Sequence, residues 1–193
     1  MVASPDREDL ALLAAWRDGD GEAGNELGRR YFFGVYRFFA AKVPDAAEEL
    51  VQRTFLACAE GRERIGAAGF RAYLFGVARK QLLRHFEGRG ELHGIEQLSQ
   101  RSIADLRTSP SQVLADQQAH AQLVAAMQTL PIDFQIVLEL FYWQSLSLVE
   151  IAESLEIAVG TVKSRLSRAK SLLRDALARA GGPVTLASLQ RSG

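Results

Sequence analysis

Apolar side chains recur every three or four residues along most of this chain, which is the spacing of one face of an α-helix. No segment shows the strict alternation of apolar and polar residues that favours a strand. The helices predicted from this spacing are Asp9–Arg17, Glu22–Lys42, one that starts at Pro44-Asp45 and carries apolar residues to Cys58, Phe70–Phe86, Pro110–Thr129, Pro131–Tyr142, Leu148–Leu155 and Thr161–Ala180. The pattern therefore predicts an all-α fold.

The same pattern divides the helices into two groups. Between Glu87 and Ser109 the apolar residues are scattered without a sustained period, so this stretch is predicted to be a linker. Gly181-Gly182-Pro183 is a typical helix stop. We therefore predict two small helical domains, residues 1–87 and 110–180, joined by a flexible linker at residues 88–109 and followed by a flexible tail at residues 181–193.

The composition is that of a soluble globular protein, because 48% of the 193 residues are apolar and 24% are charged. No apolar run approaches the roughly 20 residues that a membrane span needs, and the acidic start of the chain is unlike a signal peptide. A single cysteine, Cys58, cannot form an internal disulfide. These features predict a cytoplasmic protein without membrane insertion.

No pattern typical of an enzyme is present. His85, His93 and His120 have no metal-ligand spacing with Cys58 or with one another. There is neither a glycine-rich phosphate loop nor a nucleophile elbow. We therefore expect no catalysis, no cofactor and no metal site, and we expect Cys58 to be a small core residue.

The formal net charge is zero, but the charges are segregated along the chain. Residues 61–90 carry 7 basic and 2 acidic side chains, and residues 158–193 carry 7 and 1. The blocks 1–60 and 91–157 carry net charges of −4 and −7. The two basic blocks could neutralise DNA phosphates, whereas the acidic blocks would weaken indiscriminate DNA binding. From charge alone, solvated faces without a ligand are the alternative.

The strongest local motif is a helix-turn-helix within Ser147–Leu177. Ser147 and Glu150 form a capping-box pattern for a short first helix. An apolar stripe from Val162 to Leu173 follows the second helix, and the opposite side of that helix is polar and basic. A short helix, a turn and a helix with a basic outer face is the geometry that enters a major groove.

The outer face of the second helix supplies the candidate contacts to duplex DNA. Arginine can bridge the two major-groove acceptors of guanine, and nearby lysines can hold phosphates, which set position without reading sequence. No acidic residue lies between positions 158 and 174, which favours DNA binding over a merely solvated face. The candidate residues are Thr161, Lys163, Ser164, Arg165, Ser167 and Arg168.

Several segments together resemble the extracytoplasmic-function (ECF) sigma factors of bacterial RNA polymerase. GTVKSRLSRAK and LSLVEIAESL are similar to that family's C-terminal domain, EELVQRTFLACAEG resembles its polymerase-binding helix, and FRAYLFGVARKQLLRHF resembles the helix that handles the melted promoter strand. The likeness covers residues 10–86 and 109–177, in the family's order. A helix-turn-helix alone occurs in many regulators, whereas this combination is specific.

The resemblance implies a protein that directs RNA polymerase to promoters through three surfaces. The first should bind the clamp helices of the largest polymerase subunit: Glu48, Glu49, Gln52 and Arg53. The second should capture the melted minus-ten strand, with the loop Glu60–Gly69: Arg71, Tyr73, Arg79, Lys80 and Arg84. The third is the outer face of the helix-turn-helix, which should read the duplex minus-thirty-five element. Without the family match, a merely solvated face would be equally expected at the first surface. For Tyr73 a core role is expected as much as a stacking role, because its helix is apolar nearly all round.

Further partners follow from the same resemblance. The C-terminal domain should contact the flap of the second-largest polymerase subunit, and the linker should thread the template and RNA-exit cleft. An inhibitory anti-sigma protein is a candidate partner that no residue here identifies. The promoter sequence, the genes served and the inducing signal do not follow from the chain.

The sequence also departs from the family pattern. Lys80 stands where an asparagine is usual and Arg84 where an aspartate is common, which leaves the base preference at the minus-ten surface open. Glu156 replaces the usual glycine in the turn of the helix-turn-helix, and Ala158 replaces a frequent proline. Ile132-Asp133-Phe134 replaces a typically basic stretch.

The main rival interpretation is a helix-turn-helix regulator that binds operator DNA by itself, with the N-terminal region as a sensor or dimerisation module. The second basic block and the acidic helix before it argue against this rival, which needs neither. A helical adaptor that binds only protein is a more distant alternative, for which both basic blocks would be superfluous.

Overall fold

Helices account for nearly all regular structure in the described part of the chain. The computed structural model describes residues 7–91, 102 and 118–179. Its α-helices are α1 (Arg7–Arg17), α2 (Gly21–Ala40), α3 (Ala47–Glu60), α4 (Gly69–Gly88), α5 (Gln118–Gln128), α6 (Ile132–Tyr142), α7 (Leu148–Leu155) and α8 (Val159–Arg179). Within those residues the only β-type pairing is an isolated bridge between Ser102 and Pro131. The predicted all-α fold is confirmed.

The described helices match the predicted ones apart from their ends. The third helix begins at Ala47, because Pro44–Ala46 forms a 3-10 turn in front of it. The predicted loop after it contains a second 3-10 turn, Arg62–Arg64, and α4 continues to Gly88. Residues 110–117, most of the predicted linker and the tail lie outside the described residues. The predicted domain boundaries therefore stay predictions.

One compact unit is formed within Met1–His85 and Leu146–Val159, and so combines α1 to α4 with α7. α4 is buried on several sides, as expected of a helix that is apolar nearly all round. Aromatic contacts connect it to its neighbours, with Trp16 edge-on to Phe70 at 5.9 Å and Phe38 edge-on to Phe75 at 5.9 Å. Leu27, Phe39, Leu50, Cys58, Phe70, Leu74 and Leu82 are among the fully buried side chains.

A buried carboxylate joins α1 to α2. Asp9 is 4% exposed, and it accepts hydrogen bonds from Arg30 at 2.6 Å and from the hydroxyl of Tyr31. Burial, followed by the bond to Asp9, raises the pKa of Tyr31, so the hydroxyl stays a donor. These two hydrogen bonds and the positive charge of Arg30 compensate the free-energy cost of burying the Asp9 carboxylate.

α7 is short but well capped. The hydroxyl of Ser147 accepts from the backbone of Glu150 at 3.2 Å, and the Glu150 carboxylate accepts from the backbone of Ser147 at 2.7 Å. The capping box predicted from the sequence is confirmed. The helix ends at Leu155, and the C-cap residue Glu156 adopts the left-handed conformation with φ 57°. An L side chain costs about 1–2 kcal/mol there, which is why glycine is usual.

The second compact unit falls within Phe86–Ser145 and Gly160–Gly193, with α5, α6 and nearly all of α8. α6 is buried along most of its length, including the polar side chains of Asp133 and Gln135. The ammonium of Lys170 on α8 lies 5.2 Å from the Phe141 ring centroid on α6. No described helix is both long and apolar enough to cross a membrane.

Candidate nucleic-acid and polymerase interfaces

α4 presents a basic face to a cavity in the first unit. The helical period places Tyr73, Lys80 and Arg84 on one side of α4, and all three line a cavity of about 650 Å³. Arg64, from the loop after α3, lines the same cavity. The structure thus brings three cations and one aromatic ring of the predicted minus-ten surface around one concave space.

Tyr73 lies at the boundary between the core and this cavity. Its ring is half-buried, and its hydroxyl lies against Gly61 at the end of α3. A Cβ at position 61 would collide with that hydroxyl, so glycine is needed for Tyr73 to lie where it does. Tyr73 therefore touches the end of α3 with its hydroxyl and also lines the cavity.

Arg79 departs from the expectation. It is only 4% exposed, because the helical period places it with Phe75, Leu82 and Phe86 on the buried side of α4. A guanidinium in that position does not reach DNA from the described surface. We therefore leave Arg79 out of the candidate minus-ten surface, which keeps Arg71, Tyr73, Lys80 and Arg84.

Two of these cations are paired with carboxylates of α7 and its cap. Arg71 donates to the Glu150 carboxylate at 3.3 Å, and both side chains are largely buried. Lys80 donates to the Glu156 carboxylate at 2.5 Å, and this pair is exposed. The α4 surface therefore already has anionic partners within the same unit.

The predicted polymerase-binding residues form one exposed, polar face of α3. Glu48, Glu49, Gln52 and Arg53 are all exposed, and Arg53 pairs with Glu49 at 2.5 Å. The opposite side of α3 is buried through Leu50 and Val51. This arrangement is the one that the amphipathic pattern predicts.

α8 carries the predicted duplex-binding residues on its outer side. Thr161, Lys163, Ser164, Ser167 and Arg168 are exposed. The inner stripe is buried at Val162, Leu166, Ala169 and Leu173. The face contains hydroxyl and cationic side chains and no carboxylate, as a surface for phosphates and base edges requires.

The chain is similar in sequence to known transcription factors along most of its length. The family model described as Sigma-70, region 4, matches residues 120–173. The ECF RNA polymerase sigma factor SigL of Mycobacterium tuberculosis is 32% identical over 152 residues, which cover 76% of this chain and 84% of that protein. The chain belongs to the ECF sigma factors. SigE of Mycolicibacterium smegmatis is 28% identical, and this sigma factor spans 65% of its length. The sigma-H factor of Pseudomonas aeruginosa is 26% identical, over 94% of its length.

Two solved structures share the fold of this sigma factor. CnrH in complex with the cytosolic domain of CnrY superposes with a TM-score of 0.64 and 20% identity, over 91% of this chain and 99% of that one. The sigma factor RpoE of Bartonella quintana, in complex with the anti-sigma factor NepR, superposes with a TM-score of 0.61 and 21% sequence identity. The match covers 79% of this chain and 96% of that one.

An exposed apolar patch beside the α3 face was missed in the sequence. It consists of Phe32, Phe33 and Tyr36 on α2 with Phe55 and Leu56 on α3. Phe33 is 73% exposed and Leu56 61%. The rings of Phe32 and Phe55 stack with centroids 6.5 Å apart, which joins the two helices. The sequence contains a sign of this patch, because α2 has more aromatic residues than one buried stripe of a helix can accommodate.

Arg165 of this sigma factor is engaged inside its own unit. Its guanidinium donates to the carboxylate of Asp133 on α6 at 2.6 Å, and Asp133 is 1% exposed. One of the terminal nitrogens that would bridge guanine is held by α6, so we revise the expectation that Arg165 reads a base. Its position favours a role in fixing the orientation of α8.

The described residues contain no group of three or more His, Cys, Asp or Glu side chains that could hold a metal ion. Cys58 is fully buried, as predicted, and burial raises the pKa of its thiol to about 12. A buried thiol that stays protonated contributes to core packing and does not act as a nucleophile.

Proposed function

We propose that this sigma factor binds core RNA polymerase and directs transcription initiation at particular promoters, by reading a duplex minus-thirty-five element and capturing the melted minus-ten strand. The observation that carries the proposal is that two separate cationic surfaces suit two forms of DNA. The α8 face is the exposed side of a helix, which suits a major groove, whereas the α4 surface lines a cavity. A regulator that binds only duplex operator DNA needs the first surface alone.

The cavity beside α4 supports capture of an unpaired strand. Opening promoter DNA costs about 1.4 kcal/mol per stacked step, and a small protein can offset this only by binding the strand that is released. Arg64, Lys80 and Arg84 supply cations for phosphates, and Tyr73 supplies an aromatic surface for a base. The cavity has a volume of about 650 Å³, and a base that leaves the stack needs a pocket to enter.

The α8 face supports reading of the duplex. Arg168 is the exposed arginine placed to bridge guanine acceptors, and Lys163 is placed to hold a phosphate. Thr161, Ser164 and Ser167 add hydroxyl groups for base edges or phosphate oxygens. Arg165 acts as a positioning residue through Asp133.

The α3 face and the apolar patch together support polymerase binding. Exposed aromatic side chains beside charged ones are characteristic of protein interfaces, in which aromatic residues dominate the energy and charges guide association. We assign this combined surface to the clamp helices of the largest polymerase subunit. The flap of the second-largest subunit is the proposed partner of the C-terminal domain. An anti-sigma protein is also proposed, because a solved structural relative is bound to one.

Promoter opening tests the two DNA surfaces separately. A promoter mapped with the reconstituted holoenzyme would carry 2-aminopurine in the minus-ten element. Arg84→Ala should slow or reduce the fluorescence increase that reports opening, with duplex binding retained. Lys163→Ala should weaken duplex binding and lower its salt slope by about one, without affecting opening of the DNA that is bound.

The control is Arg29→Ala, which removes an exposed arginine of α2 outside all three surfaces. It should change neither readout. The proposal fails if the protein binds duplex equally well without polymerase and if Arg84→Ala leaves opening unchanged.

A further inference from the structure

The end of α1 holds the loop that connects α3 to α4. Arg17 is the last residue of α1, and its guanidinium donates from Nε to the backbone carbonyl of Arg62 at 3.2 Å and from Nη2 to that of Ile65. Arg62 begins the 3-10 turn of this loop, and Ile65 follows the turn directly. One side chain therefore bridges both ends of the turn, from 45 and 48 positions earlier in the chain.

An arginine is suited to this bridge in a way that a lysine is not. The guanidinium carries its donors in a rigid planar fork, so that two acceptors can be bound at once, whereas an ammonium is a single point of charge on a flexible stem. Hydrogen bonds from a charged donor are about twice as strong as those between neutral groups. Because Arg17 is half-buried, water competes only in part for its donors.

The loop itself has few side chains that could fix its position. Ile65 is 4% exposed and anchors the turn in the core, but the next four residues are all glycine or alanine. Such residues bring little packing, and glycine loses the most conformational entropy when it is ordered. Gly66, Ala68 and Gly69 line the same cavity as Arg64. The shape of this cavity wall therefore depends on how the loop is held by its neighbours.

α1 is itself fixed at both ends. Near its start, Asp9 pairs with Arg30 of α2 at 2.6 Å. Near its end, Trp16 packs edge-on against Phe70, in the first turn of α4, and a Cβ at Gly24 of α2 would collide with the indole of Trp16. Arg17 thus extends from a helix whose position is set by α2 and α4. Support from such a rigid element can hold a functional loop in one geometry.

We propose that Arg17 is a positioning residue for strand capture, which holds the loop Glu60–Gly69 so that Arg64 and the loop backbone form one wall of the cavity beside α4. This inference rests on the proposed function. It adds a residue of α1, outside the three predicted surfaces, that sets the geometry of one of them. A loop that is already ordered does not have to be ordered when the strand binds, so more of the binding free energy remains to offset the cost of opening the promoter.

Hydrogen exchange measured by mass spectrometry on the free protein tests the hold on the loop. The backbone amides of Arg64 and Ile65 donate to the carbonyls of Gly61 and Arg62, and they report whether the turn stays formed. Arg17→Gln removes the charge and the fork, whereas Arg17→Lys keeps the charge and removes only the fork. Both should speed exchange in peptides that cover residues 61–66 by about tenfold, as expected for the loss of a charge-assisted hydrogen bond.

Arg29 supplies the matched control, because it is an exposed arginine of α2 that does not line the cavity. Arg29→Gln and Arg29→Lys should leave exchange in the loop unchanged. Peptides from α2 and α6 are the internal reference, and their exchange should stay the same in the Arg17 variants. The proposal is overturned if the loop keeps its original exchange rate in either Arg17 variant. It is also overturned if exchange in α2 rises by the same factor as in the loop, because Arg17 would then support the unit as a whole.

Promoter opening by the reconstituted holoenzyme tests the role in capture, with 2-aminopurine in the minus-ten element of a mapped promoter. Arg17→Gln should slow opening about three- to tenfold, with unchanged affinity for core polymerase and for the minus-thirty-five duplex. In an Arg64→Gln background the effect of Arg17→Gln should be smaller, because the loop then has no cation to position, whereas the effects of independent residues multiply. Unchanged opening in Arg17→Gln, or full multiplication of the two effects, would contradict the positioning role.

Failure of this inference differs from failure of the proposed function. If the unmodified protein opens no promoter, the sigma function is wrong. If the unmodified protein opens promoters and the Arg17 variants open them equally well, only the positioning role is wrong.

Discussion

Arg165 departs from its expected role, and its partner lies far away in sequence. Arg165 lies at the edge of the outer face of α8, where the helical period alone cannot decide between a base and a carboxylate. Its partner Asp133 lies 32 positions earlier, within the stretch that departs from the family pattern. Asp133, which makes α6 less basic than the family pattern, therefore supplies the negative charge that pairs with Arg165 of α8.

Removing the carboxylate of Asp133 should destabilise the second unit. Breaking a buried pair by removing one partner costs about 3–5 kcal/mol, and the 22% exposure of the Arg165 side chain lowers our expectation to about 2–3 kcal/mol for Asp133→Asn. Urea unfolding followed by circular dichroism measures the change. Asp175→Asn, an exposed change on α8, should stay within about 0.5 kcal/mol. Equal effects of the two variants would contradict the assigned role.

Cys58 should be unreactive in the folded protein. Burial raises the pKa of its thiol to about 12, above its ordinary value of 9.0, so the thiolate is scarce and inaccessible at pH 8. Ellman's reagent should label it only at the rate of unfolding, and immediately in denaturant. Because the folded pKa is the higher one, this contribution to stability is full below pH 9 and declines as the pH rises towards 12. Rapid labelling of the native protein at pH 8 would contradict the buried position.

Residue burial was predictable wherever a helix has one clear apolar stripe. Leu50, Val51 and Cys58 follow such a stripe on α3, and all three are buried. Arg79 was not predictable in this way, because α4 is apolar nearly all round and its period does not separate an inner from an outer side. Charged side chains on such a helix need a structure before they can be assigned to a surface.

At the scale of elements, two glycines of α2 differ in whether the packing of a neighbouring helix requires them. A Cβ at Gly24 would collide with the indole of Trp16, which packs edge-on against Phe70, whereas a Cβ at Gly28 meets nothing within 4 Å. Gly28→Ala should therefore stabilise the protein by about 0.5–1 kcal/mol through helix propensity. Gly24→Ala should destabilise it by about 1–2 kcal/mol, because Trp16 must move.

Thermal unfolding of the two variants measures this difference, and each is the control of the other. Stabilisation by both alanines would show that Trp16 does not pack against α2. The sequence alone marks both glycines as equally costly to the helix, because it contains no information on which one a neighbouring helix approaches.

The helices themselves were predictable to within a few residues at most ends because their signals are local. The Ser147–Glu150 pattern specifies the start of α7, and hydrogen bonds in both directions bear it out. The sequence predicts a helix that starts at Pro44, whereas the chain makes a 3-10 turn before α3 begins at Ala47. The apolar patch on α2 and α3 was not predicted, since stacking of Phe32 on Phe55 is a contact between elements.

At the scale of the whole molecule, the charge distribution carries the functional argument. A net charge of zero conceals two basic blocks, and these become the α4 cavity and the α8 face. Their separation along the chain was visible in the sequence. The grouping of α7 with α1 to α4 in one compact unit was not, because the contacts between them, such as those of Lys80 with Glu156 and of Gly76 with Ser154, join residues far apart in sequence.

The most direct test of the central claim is in vitro transcription from genomic fragments by purified core polymerase, with and without this sigma factor, followed by mapping of the 5′ ends of the transcripts. The account predicts new start sites, with two shared sequence motifs upstream of each at a constant spacing. If initiation is unchanged while the protein alone shifts particular duplexes at moderate salt, the chain acts as an operator-binding regulator and the account is contradicted.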